Sequence, residues 1–162
     1  MIYYLLLPFA AVLLVVLQGT LADLLFSGLL TLELSLIVVI YAGFHLDLWK
    51  GMTLAFVMGL VVDGLSGSVL GLFTLIYLLI FLLSLFVSSR MASEKLYLIA
   101  AFSLICSLVE SWALVLLYGF VFEFDMFSKI FPVFVPQAVL ISVLSVCFFY
   151  AMRKVEGLLM YG

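Results

Sequence analysis

Long runs of apolar residues occupy almost the whole chain and constrain its fold more than any motif does. Of the 162 residues, 69% are hydrophobic and only 9% are charged. A water-soluble domain is about half apolar and about a quarter charged. Six basic and nine acidic residues therefore cannot cover the surface of a soluble globule of this length. This composition excludes a soluble enzyme, a disordered chain and a nucleic-acid-binding protein, and it predicts a membrane protein.

The apolar runs are continuous rather than alternating in polarity, which is typical of membrane-spanning helices and not of barrel strands. A helix needs about 20 mostly apolar residues to cross a bilayer. We therefore expect an all-α, polytopic membrane protein in which about six transmembrane helices form a single domain over residues 1–162. The expected helices run over about Ile2–Gly19, Leu29–Phe44, Lys50–Leu65, Val69–Ser89, Leu96–Phe120 and Ile130–Met152.

Two connecting segments differ in character from the rest of the chain. The stretch Gln18–Gly28 is apolar enough to lie in the membrane interface as a half-helix. The segment Glu123–Lys129 is acidic and aromatic, and it is predicted to be a loop.

The basic residues indicate an orientation, because cytoplasmic loops carry an excess of Lys and Arg. With the amino terminus in the cytoplasm, Lys129 is the basic residue on the opposite side of the membrane. The cytoplasmic side then holds Lys50, Arg90, Lys95, Arg153 and Lys154. An even number of crossings returns the carboxyl terminus to the cytoplasm, so both termini are expected there.

The third expected helix carries small residues and a carboxylate on one face. Gly51, Ala55, Gly59 and Asp63 are spaced four apart and therefore share that face. Small residues at this spacing allow another helix to approach closely. The face is a candidate for internal packing or for docking a partner helix.

A turn motif follows Asp63 directly. It comprises Gly64, Ser66, Gly67, Ser68, Leu70 and Gly71, and its glycines and serines disfavour a helix. We expect Asp63 to accept hydrogen bonds from backbone N–H groups and serine hydroxyls of this turn and so to cap the fourth helix. A role facing a cavity or partner is compatible with that capping.

A polar stripe lies on the fifth expected helix. Ser103, Ser107 and Ser111 are spaced by four, Glu110 lies beside them, and Gln137 is a candidate to bond across from the sixth helix. Such a stripe must face protein or water rather than lipid. We favour a neutral Glu110 hydrogen-bonded to a neighbouring helix. A ligand or proton site at Glu110 is the alternative.

Residues suited to catalysis are few, so we expect no enzymatic activity, no metal and no cofactor. One histidine, His45, provides neither a serine triad near Ser66 nor a metal site. Asp63 and Glu110 are expected at different depths, which disfavours a carboxylate pair sharing a proton. Cys106 and Cys147 lie in apolar runs and are predicted to be small buried hydrophobes.

The segment from Gly51 to Phe73, GMTLAFVMGLVVDGLSGSVLGLF, resembles the MreD family, the small membrane subunit of the bacterial rod-shape system. The stretch from Leu32 to Ala42, which contains Glu33 and Tyr41, is similar to that family's acidic residue leading into an apolar helix. Val69 and Phe73 depart from the family pattern, in which Pro and His are common at those positions.

The resemblance implies a scaffold in the bacterial inner membrane for cell shape and peptidoglycan elongation. It implies as partners an MreC-like membrane protein, an MreB-like actin homologue, a RodA-like glycosyltransferase and a penicillin-binding transpeptidase. Apart from the resemblance, we expect contact with the lipid bilayer and, as a candidate partner, a second copy of the chain. The resemblance also implies a fold similar to the S-components of energy-coupling-factor transporters. The alternative function is accordingly a substrate-binding S-component of a membrane transporter, with Glu110, Ser103, Ser107 and Gln137 as its polar pocket.

Overall fold

The computed structural model describes residues 2–26, 33–67, 69–90, 95–122 and 127–160. Within these ranges the structure is all-α, which confirms the predicted fold class. Its helices are α1 (Ile2–Phe26), α2 (Leu34–His45), α3 (Leu48–Ser66), α4 (Leu72–Arg90), α5 (Leu96–Phe122) and α6 (Phe127–Met160).

Length and apolar composition qualify four segments of the described chain as candidate membrane spans. They are Leu48–Ser66, Leu72–Arg90, Leu96–Leu117 and Val135–Val155. Two shorter apolar stretches, Phe9–Leu24 and Leu34–His45, lie in α1 and α2. A helix rises 1.5 Å per residue, so the 12 residues of α2 extend about 18 Å, less than the hydrocarbon thickness of about 30 Å.

The chain divides into two compact units, Met1–Ala92 and Ser93–Gly162. In the first unit α2 contacts α1, α3 and α4, and α3 packs against α4. Seven of the 12 residues of α2 are buried, as expected for a short helix surrounded by longer ones. The largest buried side chains of this unit include Leu36, Ile40, Tyr77 and Phe81.

The second unit consists of α5 packed against α6. Serine side chains of the described residues join these two apolar helices. The hydroxyls of Ser103 and Ser145 lie 2.6 Å apart, and the Ser142 hydroxyl donates to the Ala100 carbonyl at 3.0 Å. Hydrogen bonds between helices stabilise their association in a membrane, where apolar side chains gain little by leaving lipid.

Several expected element boundaries were wrong. α1 continues to Phe26, so the described part of the Gln18 segment is a continuation of α1 and not a separate half-helix. Gly64 and Ser66 of the expected turn motif belong to α3, which ends at Ser66 because the next residue, Gly67, adopts a left-handed conformation.

The start of α6 also differs from the expectation. The helix runs from Phe127 to Met160, beyond the expected Ile130–Met152 at both ends, and it includes Pro132 and Pro136. The part of the expected acidic loop that precedes Phe127 lies outside the described residues. Cys106 is buried as predicted, but Cys147 is exposed, because it occupies an outward-facing position of α6.

Candidate functional site: the Asp63 cap between α3 and α4

The connection between α3 and α4 uses two glycines in conformations that other residues rarely adopt. Gly67, the residue that follows the end of α3, has φ 62° in the left-handed region, and Gly71 has φ 97°. A side chain is disfavoured at such angles, so these two positions explain why the turn motif is rich in glycine. Ser68 of the motif lies outside the described residues, and Leu70 is 79% exposed.

Asp63 is buried at the end of α3, and its carboxylate accepts four hydrogen bonds from the start of α4. Oδ2 accepts from the Gly71 N–H at 3.0 Å, the Thr74 N–H at 3.1 Å and the Thr74 hydroxyl at 2.6 Å. Oδ1 accepts from the Phe73 N–H at 2.9 Å. We call this set of contacts the Asp63 cap.

The Asp63 cap satisfies groups that α4 cannot satisfy itself. The first N–H groups of a helix have no acceptor within the helix, and the helix dipole favours a negative charge at that end. Asp63 is 1% exposed, so its hydrogen bonds lie away from water, where an unmet donor is costly. The predicted capping of the fourth helix by Asp63 is confirmed.

One hydrogen-bond donor of the Asp63 cap differs from the residue type that the sequence predicted. The hydroxyl donor that the structure identifies is Thr74, whereas serines of the turn were expected in that role. The sequence signal was a threonine soon after the turn motif, because a threonine hydroxyl can donate a hydrogen bond. Phe73 contributes its backbone N–H, so the departure from the family pattern at this side chain leaves the cap intact.

The small-residue face of α3, which includes Asp63, packs against α4. Gly51, Ala55, Gly59 and Asp63 are all buried. A Cβ atom added at Gly59 would overlap the Thr74 backbone, with the Thr74 nitrogen 2.9 Å away. A Cβ added at Gly51 would overlap the Phe81 ring. The glycines therefore permit the close approach of α3 to α4, and this face serves internal packing.

A second tertiary cap joins α1, α2 and α4. The side-chain oxygen of Gln18 in α1 accepts a hydrogen bond from the Ser35 N–H in the first turn of α2 at 2.9 Å. The Ser35 hydroxyl lies 2.7 Å from the Tyr77 hydroxyl of α4. All three residues are buried. Each of α2 and α4 thus begins at a polar side chain that another helix supplies.

The predicted polar stripe of α5 is buried in the structure. Ser103, Ser107, Glu110 and Ser111 are each at most 4% exposed, and Gln137 in α6 is 5% exposed. Ser103 bonds to Ser145 of α6, whereas the Ser107 hydroxyl has no hydrogen-bond partner within the described part of the chain. The burial of these side chains agrees with the expectation that the stripe avoids lipid.

The Asp63 cap is suited to linking α3 and α4 through hydrogen bonds rather than to catalysis. Both carboxylate oxygens already accept hydrogen bonds from α4, which leaves Asp63 poorly placed to take a proton from a substrate. Across the described ranges, no three His, Cys, Asp or Glu residues are grouped so that they could hold a metal ion.

A family model described as rod shape-determining protein MreD matches residues 1–159. No curated protein matches the chain, and no solved structure matches it. The similarity to transporter S-components that the sequence suggests therefore stays a prediction.

Proposed function

The chain belongs to the MreD family of rod shape-determining membrane proteins, and we propose that it acts as a non-enzymatic scaffold of the bacterial elongation complex. In this role it resides in the inner membrane and holds other components of the complex together. Wall synthesis itself is carried out by those components.

The proposed partners are an MreC-like membrane protein, a RodA-like glycosyltransferase with its penicillin-binding transpeptidase, and an MreB-like actin homologue on the cytoplasmic side. A second copy of the chain is a further proposed partner. A scaffold of this kind needs rigid helices with apolar outer faces, because contacts with other membrane helices are made by packing. The exposed residues of α4 and α5, such as Leu75, Phe86 and Trp112, provide such faces.

The observation that carries the proposal is that the Asp63 carboxylate caps α4. This residue lies at the centre of the segment that most resembles the MreD family, and it is the buried acid of the first unit. All its described hydrogen bonds go to the start of α4. Asp63 is a distinctive acidic residue whose carboxylate holds two helices together. This supports a structural role for the protein rather than a catalytic one.

The proposed topology places both termini in the cytoplasm. The basic residues support it, with five on the cytoplasmic side and Lys129 on the other. Fusions to a reporter that is active in only one compartment test this orientation. A carboxyl-terminal fusion active only outside the cytoplasm would contradict it.

Depletion in a rod-shaped bacterium tests the function. Loss of the protein should turn rods into spheres and disperse wall synthesis that is normally arranged along the cylinder. The wild-type chain should restore rods, and so should Asp47→Ala, which removes an exposed carboxylate from the start of α3. Asp63→Ala should restore them poorly and yield less folded protein. Depleted cells that remain rods with normal wall growth would reject the proposal.

A further inference from the structure

An apolar groove lies on the first unit, between α1, α2 and α3. Its volume is about 260 Å³. The side chains that line it are aliphatic or, in one case, a thioether, and they include Leu6, Ala10, Leu14, Val38, Leu54 and Met58. None of these side chains can donate a hydrogen bond or carry a charge.

The groove opens outward from the helices. Leu6 on its rim is 55% exposed, and Ala10 is also exposed. Met58 on its floor is only 3% exposed. An occupant can therefore enter from the surrounding medium and reach Met58 of α3. A methionine side chain is flexible and adapts to irregular shapes.

The surroundings of the groove favour a thin occupant over a helix. Small residues favour the closest helix packing in membranes, and the small-residue face of α3 is already covered by α4. Ala10 in the groove is small, but the exposed α1 residues at its edge and beside it are large, with Leu6, Phe9 and Leu13 each more than half exposed. These side chains keep a helix backbone at a distance while leaving space between them for a hydrocarbon chain.

We propose that the groove binds one acyl chain of a bilayer phospholipid, which stays there longer than lipids at the other apolar faces. The lining side chains are all apolar, and α3, which forms one wall of the groove, has the length and composition of a membrane span, so the bilayer is the nearest source of such a chain. Lipid tails are as apolar as leucine, so transfer from the bilayer adds no hydrophobic free energy. The preference comes from van der Waals contact with three helices at once.

Photolabelling of the wild-type protein tests this inference. The protein is reconstituted into bilayers of phosphatidylethanolamine and phosphatidylglycerol that contain a phospholipid with a diazirine midway along one acyl chain. Labelled residues are then mapped by mass spectrometry. Leu14, Val38 and Met58 should be labelled about three- to tenfold more than the exposed α4 residues Leu75 and Leu79, which corresponds to a preference of up to about 1.4 kcal/mol. Equal labelling of groove and α4 would overturn the inference.

A pair of variants on α1 supplies the matched control. Ala10→Phe fills the groove, whereas Val12 is exposed and lies about 200° around the helix from Ala10. Ala10→Phe should reduce labelling of Met58 at least threefold, and Val12→Phe should leave it unchanged. Equal labelling in the two variants would overturn the inference, and the wild-type map decides the question if Ala10→Phe fails to fold.

Labelling in native membranes distinguishes a lipid from a protein occupant. The groove residues should carry the lipid label there as well. Protection of Leu14 and Met58 in native membranes, combined with a crosslink from Ala10 to another protein, would show a partner helix in the groove and overturn the inference. Neither result depends on whether the chain functions in cell shape.

Discussion

Asp63 accepts a 2.6 Å hydrogen bond from the hydroxyl of Thr74, which lies eleven residues later in the chain and on the next helix. The Thr74 backbone is also the surface against which Gly59 packs. Thr74 of α4 is therefore held by two contacts from α3, a hydrogen bond to the Asp63 carboxylate and the close approach of Gly59 to its backbone. These two contacts hold the start of α4 against the end of α3.

Loss of the Asp63 carboxylate should destabilise the protein. Asp63→Asn replaces one acceptor oxygen by a donor and faces it towards N–H groups of α4, so we expect a loss of about 1–3 kcal/mol in the free energy of unfolding. Thermal unfolding in detergent measures it. Asp47→Asn is the control, because its side chain is 81% exposed and its effect should stay within about 0.5 kcal/mol. Equal effects of the two substitutions would contradict the capping role.

Two glycines of α3 should respond in opposite directions to alanine. Gly59→Ala introduces a Cβ that overlaps Thr74, and we expect overpacking to cost about 1–3 kcal/mol. A Cβ at Gly64 meets nothing within 4 Å, so Gly64→Ala should stabilise the helix by about 0.5–1 kcal/mol. The larger change Gly59→Leu should also disrupt assembly with partners, because α3 and α4 would be forced apart. Wild-type stability and pull-down for Gly59→Leu would exclude a packing role for this face.

The bond between Ser35 and Tyr77 should appear as a coupling energy. Tyr77→Phe leaves the buried Ser35 hydroxyl without this partner and should cost about 0.5–1.5 kcal/mol. Ser35→Ala should cost a similar amount. The double variant should be less destabilised than the sum of the two, because it removes both polar groups. Additive effects in unfolding measurements would show that the two hydroxyls do not interact.

Glu110 should tolerate neutralisation. It is buried in α5 among serines, and a charged carboxylate is costly in a membrane. If the residue is neutral and structural, Glu110→Gln should change stability by less than about 1 kcal/mol and should restore rod shape in depleted cells. A severe loss of rod shape with unchanged stability would instead indicate a charged, functional role.

The sequence was sufficient to predict features that depend on local pattern. Apolar runs gave the helical class, and the spacing of Gly51, Ala55, Gly59 and Asp63 identified a buried face because helical periodicity is fixed. Asp63 was recognised as a cap because its partners follow within eleven residues.

Features that depend on contacts between distant segments were missed. Gln18 caps α2 from α1, and nothing near Gln18 in the chain marks that partner. The hydroxyl pair of Ser35 and Tyr77 spans 42 residues and forms only when α2 lies beside α4.

Affinity capture of the tagged protein from native membranes tests the central claim most directly. The proteins retained in mild detergent are identified by mass spectrometry, with Gly59→Leu as the variant expected to lose them. The scaffold account predicts recovery of an MreC-like protein together with the elongation glycosyltransferase and transpeptidase. Recovery of an ATPase module and a bound vitamin in their place would contradict it and would favour a transporter subunit.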